Sequence, residues 1–139
     1  MDYLRSFEGL DAYKSAKELT ILIYKLMNSF PREELYALCD QLRRSTVSVT
    51  SNIAEGSAYV SPQQKTHFLE ISFGSLMEVL SQMDVAHDLQ YINDNDFNEV
   101  REKVNQTARL ISGLKKYFQS TTNNSQKTSY PNQAPNPTP

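Results

Sequence analysis

Gln41-Leu42-Arg43-Arg44-Ser45-Thr46-Val47-Ser48-Val49-Thr50-Ser51-Asn52-Ile53-Ala54-Glu55-Gly56 is the stretch whose reading decides the fold. It has no Pro, and no Gly before its last position, so it reads as one long helix. At about 100° per residue, Leu35, Leu38, Leu42, Val49 and Ile53 form an apolar stripe. Gln41, Ser45, Ser48, Asn52 and Glu55 form a polar stripe about 100° away from it. A helix in a bundle touches two neighbours. The polar stripe therefore either faces water or lies at a helix-helix contact, where its groups must be paired.

Upstream, Ala12, Ala16, Leu19, Ile23, Leu26 and Phe30 recur at helical spacing, which predicts a first helix over about Gly9 to Ser29, ended by Pro31. Because Pro is tolerated in a first helical turn and Glu33 and Glu34 suit the positive end of a helix dipole, the second helix is expected to start at Pro31 to Glu33. It should end near Gly56, with glycine in the left-handed conformation of a C-cap and Ser57 to Val60 as a short connection. Ser61-Pro62-Gln63-Gln64 is a start signal, with Ser61 as N-cap, Pro62 at the first helical position and Gln64 placed for a capping box. The third helix should run to about Tyr91 on Leu69, Phe73, Leu76, Val79, Leu80, Met83 and Ala86. After a cap at Asn93 or Asp94, the set Phe97, Val100, Val104, Thr107, Ile111, Leu114 and Phe118 defines a fourth helix. Short connections favour antiparallel neighbours. The expected fold is thus an all-α, antiparallel up-down-up-down four-helix bundle over residues 1–119.

From Ser120 the composition turns to Ser, Thr, Asn, Gln and Pro, with Tyr130 the one large apolar residue. Ordering each backbone residue costs about 1 to 2 kcal/mol and one buried tyrosine returns about 2, so residues 120–139 are predicted to be a disordered tail. The whole chain of 139 residues suits one domain, and no apolar run approaches a membrane span. Met1-Asp2-Tyr3-Leu4-Arg5 lacks the basic and apolar blocks of a signal peptide, which makes the cytoplasm the expected compartment. With 14 Lys and Arg against 16 Asp and Glu, a net charge of -2 argues against a general nucleic-acid binder and leaves only local basic patches open. Cys39, the single cysteine, is expected as a small buried apolar residue.

The resemblance carried by the opening stretch is specific. QLRRSTVSVTSNIAEG, entered through Phe30-Pro31-Arg32-Glu33-Glu34-Leu35-Tyr36, resembles the signature of small bacterial four-helix-bundle proteins encoded in intervening sequences of 23S ribosomal RNA genes. Phe68-Leu69-Glu70-Ile71-Ser72-Phe73-Gly74-Ser75-Leu76-Met77-Glu78 resembles the same family's third-helix pattern of an aromatic, a small residue, Gly-Ser and Glu. Ser72 stands where an alanine is commoner, and Thr46 where a second small apolar residue is. The resemblance covers about Phe7 to Phe118. It implies an antiparallel bundle, often a cyclic homopentamer, whose function is poorly defined. A more distant similarity is to the accessory variability protein of diversity-generating retroelements, which binds RNA and a reverse transcriptase.

The enzyme chemistry best suited to such a bundle is a carboxylate-bridged di-metal site, which needs Glu-x-x-His from each of two helices and a Glu from each of the others. Asp84-Val85-Ala86-His87 is the only acid-x-x-His, and His67 has Gln64 at the matching position, so a second ligand pair is missing. His67 and His87 read as helix-surface residues. No phosphate-binding Gly-rich loop and no nucleophile context occur. The expectation is a protein that is not an enzyme, with no cofactor, no metal and no small-molecule substrate.

Three surfaces remain. Gln41, Arg44, Asn52 and Glu55 on the second helix are expected to meet Ser75 and Glu78 on the third in a structural polar network, because an uncompensated buried carboxylate costs about 3 to 5 kcal/mol. Arg43 projects away from that stripe and, with Arg101, Arg109 and Lys116 on the fourth helix, is the candidate contact to RNA or a protein partner, although Glu99 and Glu102 dilute the second group. On the back of the second helix, Val47, Thr50, Ser51, Ala54 and Ala58 make a face of small side chains suited to close approach by another copy of the chain. The expectation is a homo-oligomeric interaction module, a ring of five on the strength of the resemblance alone, with RNA binding as the alternative.

Overall fold

A computed structural model describes residues 7–128, with side chains for residues 7–120. The chain forms α1 (Asp11–Met27), a 3-10 turn (Arg32–Glu34), α2 (Leu38–Ser57), α3 (Pro62–Asp88) and α4 (Asp94–Thr128). Each helix packs on the two beside it, α1 on α2, α2 on α3, α3 on α4 and α4 back on α1, which closes an all-α bundle around one core. Leu19 and Ile23 from α1, Leu42, Val49 and Ile53 from α2, Leu69, Leu76 and Met83 from α3 and Val100, Val104 and Ile111 from α4 are fully buried in it. No helix among the described residues is long and apolar enough to cross a membrane.

The helix ends follow local chemistry. Ser61 accepts a hydrogen bond from the Gln64 N–H and Pro62 opens α3, and Asn93 Oδ1 accepts from the Asp96 N–H at the start of α4. α3 stops at Asp88 rather than Tyr91 because Gln90 enters the left-handed region at φ 64°. Its N–H bonds to the His87 carbonyl and the Tyr91 N–H to the Ala86 carbonyl, the paired closure of a Schellman motif.

Two further expectations, the start of α2 and the conformation of Gly56, are corrected. α2 begins at Leu38 and not at Pro31 to Glu33, because Pro31 is extended at ψ 151° and the single 3-10 turn after it reverses the chain; Leu35 thereby leaves the apolar stripe and is 39% exposed. Gly56 lies inside α2, no glycine of the described residues has positive φ, and the cap is Ala58. What Gly56 supplies is proximity: a Cβ there would sit 3.1 Å from the Phe68 Cβ and 3.3 Å from the Lys65 carbonyl oxygen on α3. The fourth helix runs past Ser120 to Thr128, with no Gly or Pro between Gly113 and Thr128 to stop it and each added residue adding one backbone bond. The prolines of the expected tail, with Tyr130, lie outside the described residues.

Three substitutions separate these backbone readings. Gly74 faces open space on α3, so Gly74→Ala should raise stability by about 0.5 to 1 kcal/mol through helix propensity alone. Gly56→Ala gains the same propensity but must push two helices apart, and should lower stability by about 1 kcal/mol in urea unfolding; a stabilised variant would mean that the α2–α3 contact yields freely. Gln90→Gly removes a left-handed strain and should raise the thermal midpoint, by an amount equivalent to about 1 kcal/mol.

Candidate interaction surfaces

The polar stripe of α2 meets α3, through its small members. Ser48 and Ser75 share a hydrogen bond of 2.7 Å. Asn52 donates to both the Ser48 carbonyl and the Ser48 hydroxyl, at 2.8 and 3.0 Å. Ser72, fully buried, donates 2.8 Å to the Val49 carbonyl across the interface. Near the N-terminus of α2, Ser45 donates to Glu78 at 3.4 Å. The seam thus brings Ser45, Ser48 and Asn52 of the α2 stripe together with Ser72, Ser75 and Glu78 of α3.

The charged members behave differently. Arg44 is bonded to Asp40 at 2.6 Å, one turn back on its own helix, with its side chain 78% exposed. Gln41 and Glu55 are exposed, and Glu78 touches the seam from the solvent side. No buried carboxylate needs compensation here, so the expected role of Arg44 as a counter-ion falls away. Hydroxyls suffice because they lose little on burial when each finds a neutral partner, whereas a charge would need water or an opposite charge.

The cationic candidates are also redistributed. Arg43 does not project outward: it is half-buried and donates 3.2 Å to the Leu35 carbonyl, bracing the turn that precedes α2. Arg101 lies over the Phe97 ring at 5.8 Å, while Arg109 and Lys116 are exposed. Beside them, Lys103 is paired with Glu18 and Lys115 with Glu70, and these lysines hold both carboxyls below the usual carboxylate range. Lys65 reaches over Phe118 at 4.9 Å, and burial lowers its pKa.

On the back of α2, Val47 is 46% exposed, Ser51 and Ala58 are exposed, and Thr50 and Ala54 are half-buried. The Thr50 hydroxyl donates 2.9 Å to the Val47 carbonyl, so its polar atom is spent within the helix.

The acid-x-x-His of α3 gains neighbours that the sequence reading passed over. Asp84, His87 and Asp88 bring ligand-type atoms within 4.8 Å of one another. His87 stacks on Phe97 at 4.6 Å and its Nε2 lies 2.7 Å from Asp94 Oδ1. This group sits at the outer end of α3, away from the apolar bundle interior where a di-metal site of the four-helix type is built.

The seam is testable by a double-mutant cycle. Ser48→Ala and Ser75→Ala should each destabilise by about 1 kcal/mol and the pair by clearly less than their sum, because both remove one shared bond. Arg44→Ala should stay within about 0.5 kcal/mol of the parent. Additive serine effects, read from urea midpoints, would show that the two hydroxyls act separately.

A comparison of the sequence with curated proteins found no match. The family model described as 23S rRNA-intervening sequence protein matches residues 8–113, which include all of α1, α2 and α3, both faces of the seam and most of the buried part of α4. With more than half of its length matched, four helices in the expected order and the small-residue contact where the motif stands, this chain belongs to the 23S rRNA-intervening sequence protein family.

Proposed function

We propose that the protein is a non-catalytic, cytoplasmic interaction module that works as a homo-oligomer, with the back of α2 as the self-contact. The observation that carries this reading is the surface of Val47, Thr50, Ser51, Ala54 and Ala58, a column about 17 Å long in which no side chain is charged. A solvated helix face ordinarily carries charge, and a face of small side chains with its one threonine hydroxyl turned inward suits a close helix contact. A cyclic assembly uses heterologous contacts, so this column would meet a different surface of the next subunit. The number five rests on the family resemblance.

RNA binding through the assembled surface is the second reading, favoured by the exposure of Arg101, Arg109 and Lys116 on one side of α4. Its affinity would fall steeply with salt, in proportion to the phosphates contacted.

Light scattering on the full chain at micromolar concentration should give a multiple of 15.9 kDa. Ala54→Glu, and independently the more exposed Val47→Glu, should reduce that mass to the monomer value with helicity retained by circular dichroism. A monomer for the parent protein would overturn the proposal.

A further inference from the structure

A cavity of about 360 Å³ opens where the end of α1 meets the start of α2. Its floor is apolar, made by buried Phe30 and Cys39. Its rim carries two guanidinium groups, Arg32 and Arg43, with Tyr24 and the Asn28 amide. Tyr24 is 40% exposed. Neither arginine has an ion-pair partner among the described residues. Arg43 spends one N–H on the Leu35 carbonyl, which fixes its head at the cavity and leaves its other donors open. The Arg43 charge is close enough to oppose the rise in the Cys39 pKa that burial causes, whereas Glu34 adds to that rise.

We propose that this cavity binds a small organic phosphate with a planar, apolar body, the phosphate on Arg32 and Arg43 and the ring against Tyr24 over the Phe30 floor. Guanidinium forks match the oxygens of a phosphate, and a fork held in place by the backbone loses little freedom on binding. The volume is that of a small-molecule site, where an apolar lining supplies contact and a few polar groups set orientation. A ring between a tyrosine face and an apolar floor adds stacking that bare phosphate lacks. The same end of the bundle has a second cavity, lined by Asp88, Asp94 and Asp96 with His87, whose three carboxylates suit an anion less than the two guanidinium groups of the first, beside which Glu33 and Glu34 stand outside the lining. A mononucleotide has the required chemistry, as does one nucleotide of a single-stranded RNA.

Ligand-observed saturation-transfer NMR on the full chain, with phenyl phosphate and AMP as observed probes and inorganic phosphate as a competitor against them, tests the site at any oligomer size. Phenyl phosphate and AMP should bind saturably with dissociation constants of about 1 mM or tighter, and inorganic phosphate about tenfold more weakly. Arg32→Ala, at an exposed side chain with no ion pair among the described residues, and Tyr24→Leu should each weaken phenyl phosphate by about tenfold with the circular dichroism spectrum unchanged. An octamer of uridine that binds more tightly than UMP and is weakened by Arg32→Ala identifies RNA as the source of the phosphate; equal binding identifies a free small molecule, and either supports the site. Absence of saturable binding, variants that bind like the parent, or inorganic phosphate competing as well as phenyl phosphate would overturn it. So would preference for a peptide with a C-terminal phenylalanine carboxylate, since the ligand would then be a protein terminus.

Discussion

Two helices come close only where the side chains between them are small, and the bundle depends on one such approach, between α2 and α3. Gly56 sets the distance at one end against Phe68, and Ser48, Ser72 and Ser75 keep it along the seam. Small polar side chains carry a condition that alanine would not, because each buried hydroxyl must find a partner. Here each finds one, in another serine, in Asn52 or in the Val49 carbonyl. The arrangement recurs on the opposite contact, where buried Ser15 and Thr107 of α1 and α4 bond at 2.7 Å. Hydroxyl stitches on two opposite contacts therefore bridge a core that is mainly apolar. Hydrogen bonds have direction and range, so the stitches resist sliding of one helix past another in a way that leucine against leucine does not.

The connections at the other end of the seam are tied by a different device. The α1–α2 and α3–α4 turns meet, with Ser29 donating to the Tyr91 carbonyl and the Phe30 and Tyr91 rings 5.3 Å apart. Burial pushes the Tyr91 phenol up, as do the nearby Glu34 and Glu33. This junction carries both cavities, one edged by Arg32 and Arg43 and the other by Asp88, Asp94 and Asp96, so one end of the molecule is electrically divided. The two linings follow from chain direction: the arginines belong to the entry into α2, with Glu33 and Glu34 beside them but outside the cavity, and the acids of the second cavity to the exit of α3 and the first turn of α4, where the helix dipole favours Asp94 and Asp96.

Periodicity in the sequence made four helices and most of the core legible, because aliphatic residues at helical spacing have one economical burial. It misread residues whose burial is decided by a neighbour. Phe73 was assigned to the core on hydrophobicity, yet it is 37% exposed while Ser72 beside it is fully buried. Only the narrow gap to α2 makes serine the better fit, and that gap is not visible in one helix alone. Gly56 was read as a cap because glycine often ends helices, but its function is proximity. Gln90 closes α3 in a conformation that usually announces itself as glycine or asparagine, so the end was placed three residues late. For the site, the stripe that meets α3 was legible and its charged members were not: whether Arg44 reaches across or back depends on Asp40, one turn away on the same face.

What the core consumes also says where recognition can occur. The hydroxyls of the seam are satisfied within it, and Lys103 and Lys115 are neutralised by Glu18 and Glu70. Among the residues that line the cavity at the entry to α2, Arg32 and the unused donors of Arg43 are left open, at a turn where Pro31 and the 3-10 segment prevent α2 from starting earlier. Had α2 begun at Pro31, residue 43 would stand three turns into the helix with no loop carbonyl beside it. The interrupted start places the Leu35 carbonyl within reach, anchors the guanidinium and opens the cavity between Tyr24 and Cys39. The same break that spoils a regular helix thus builds a cavity edged by two guanidinium groups, and it lies at the end of the α2 column proposed for self-association, where Arg43 precedes Val47 by one turn.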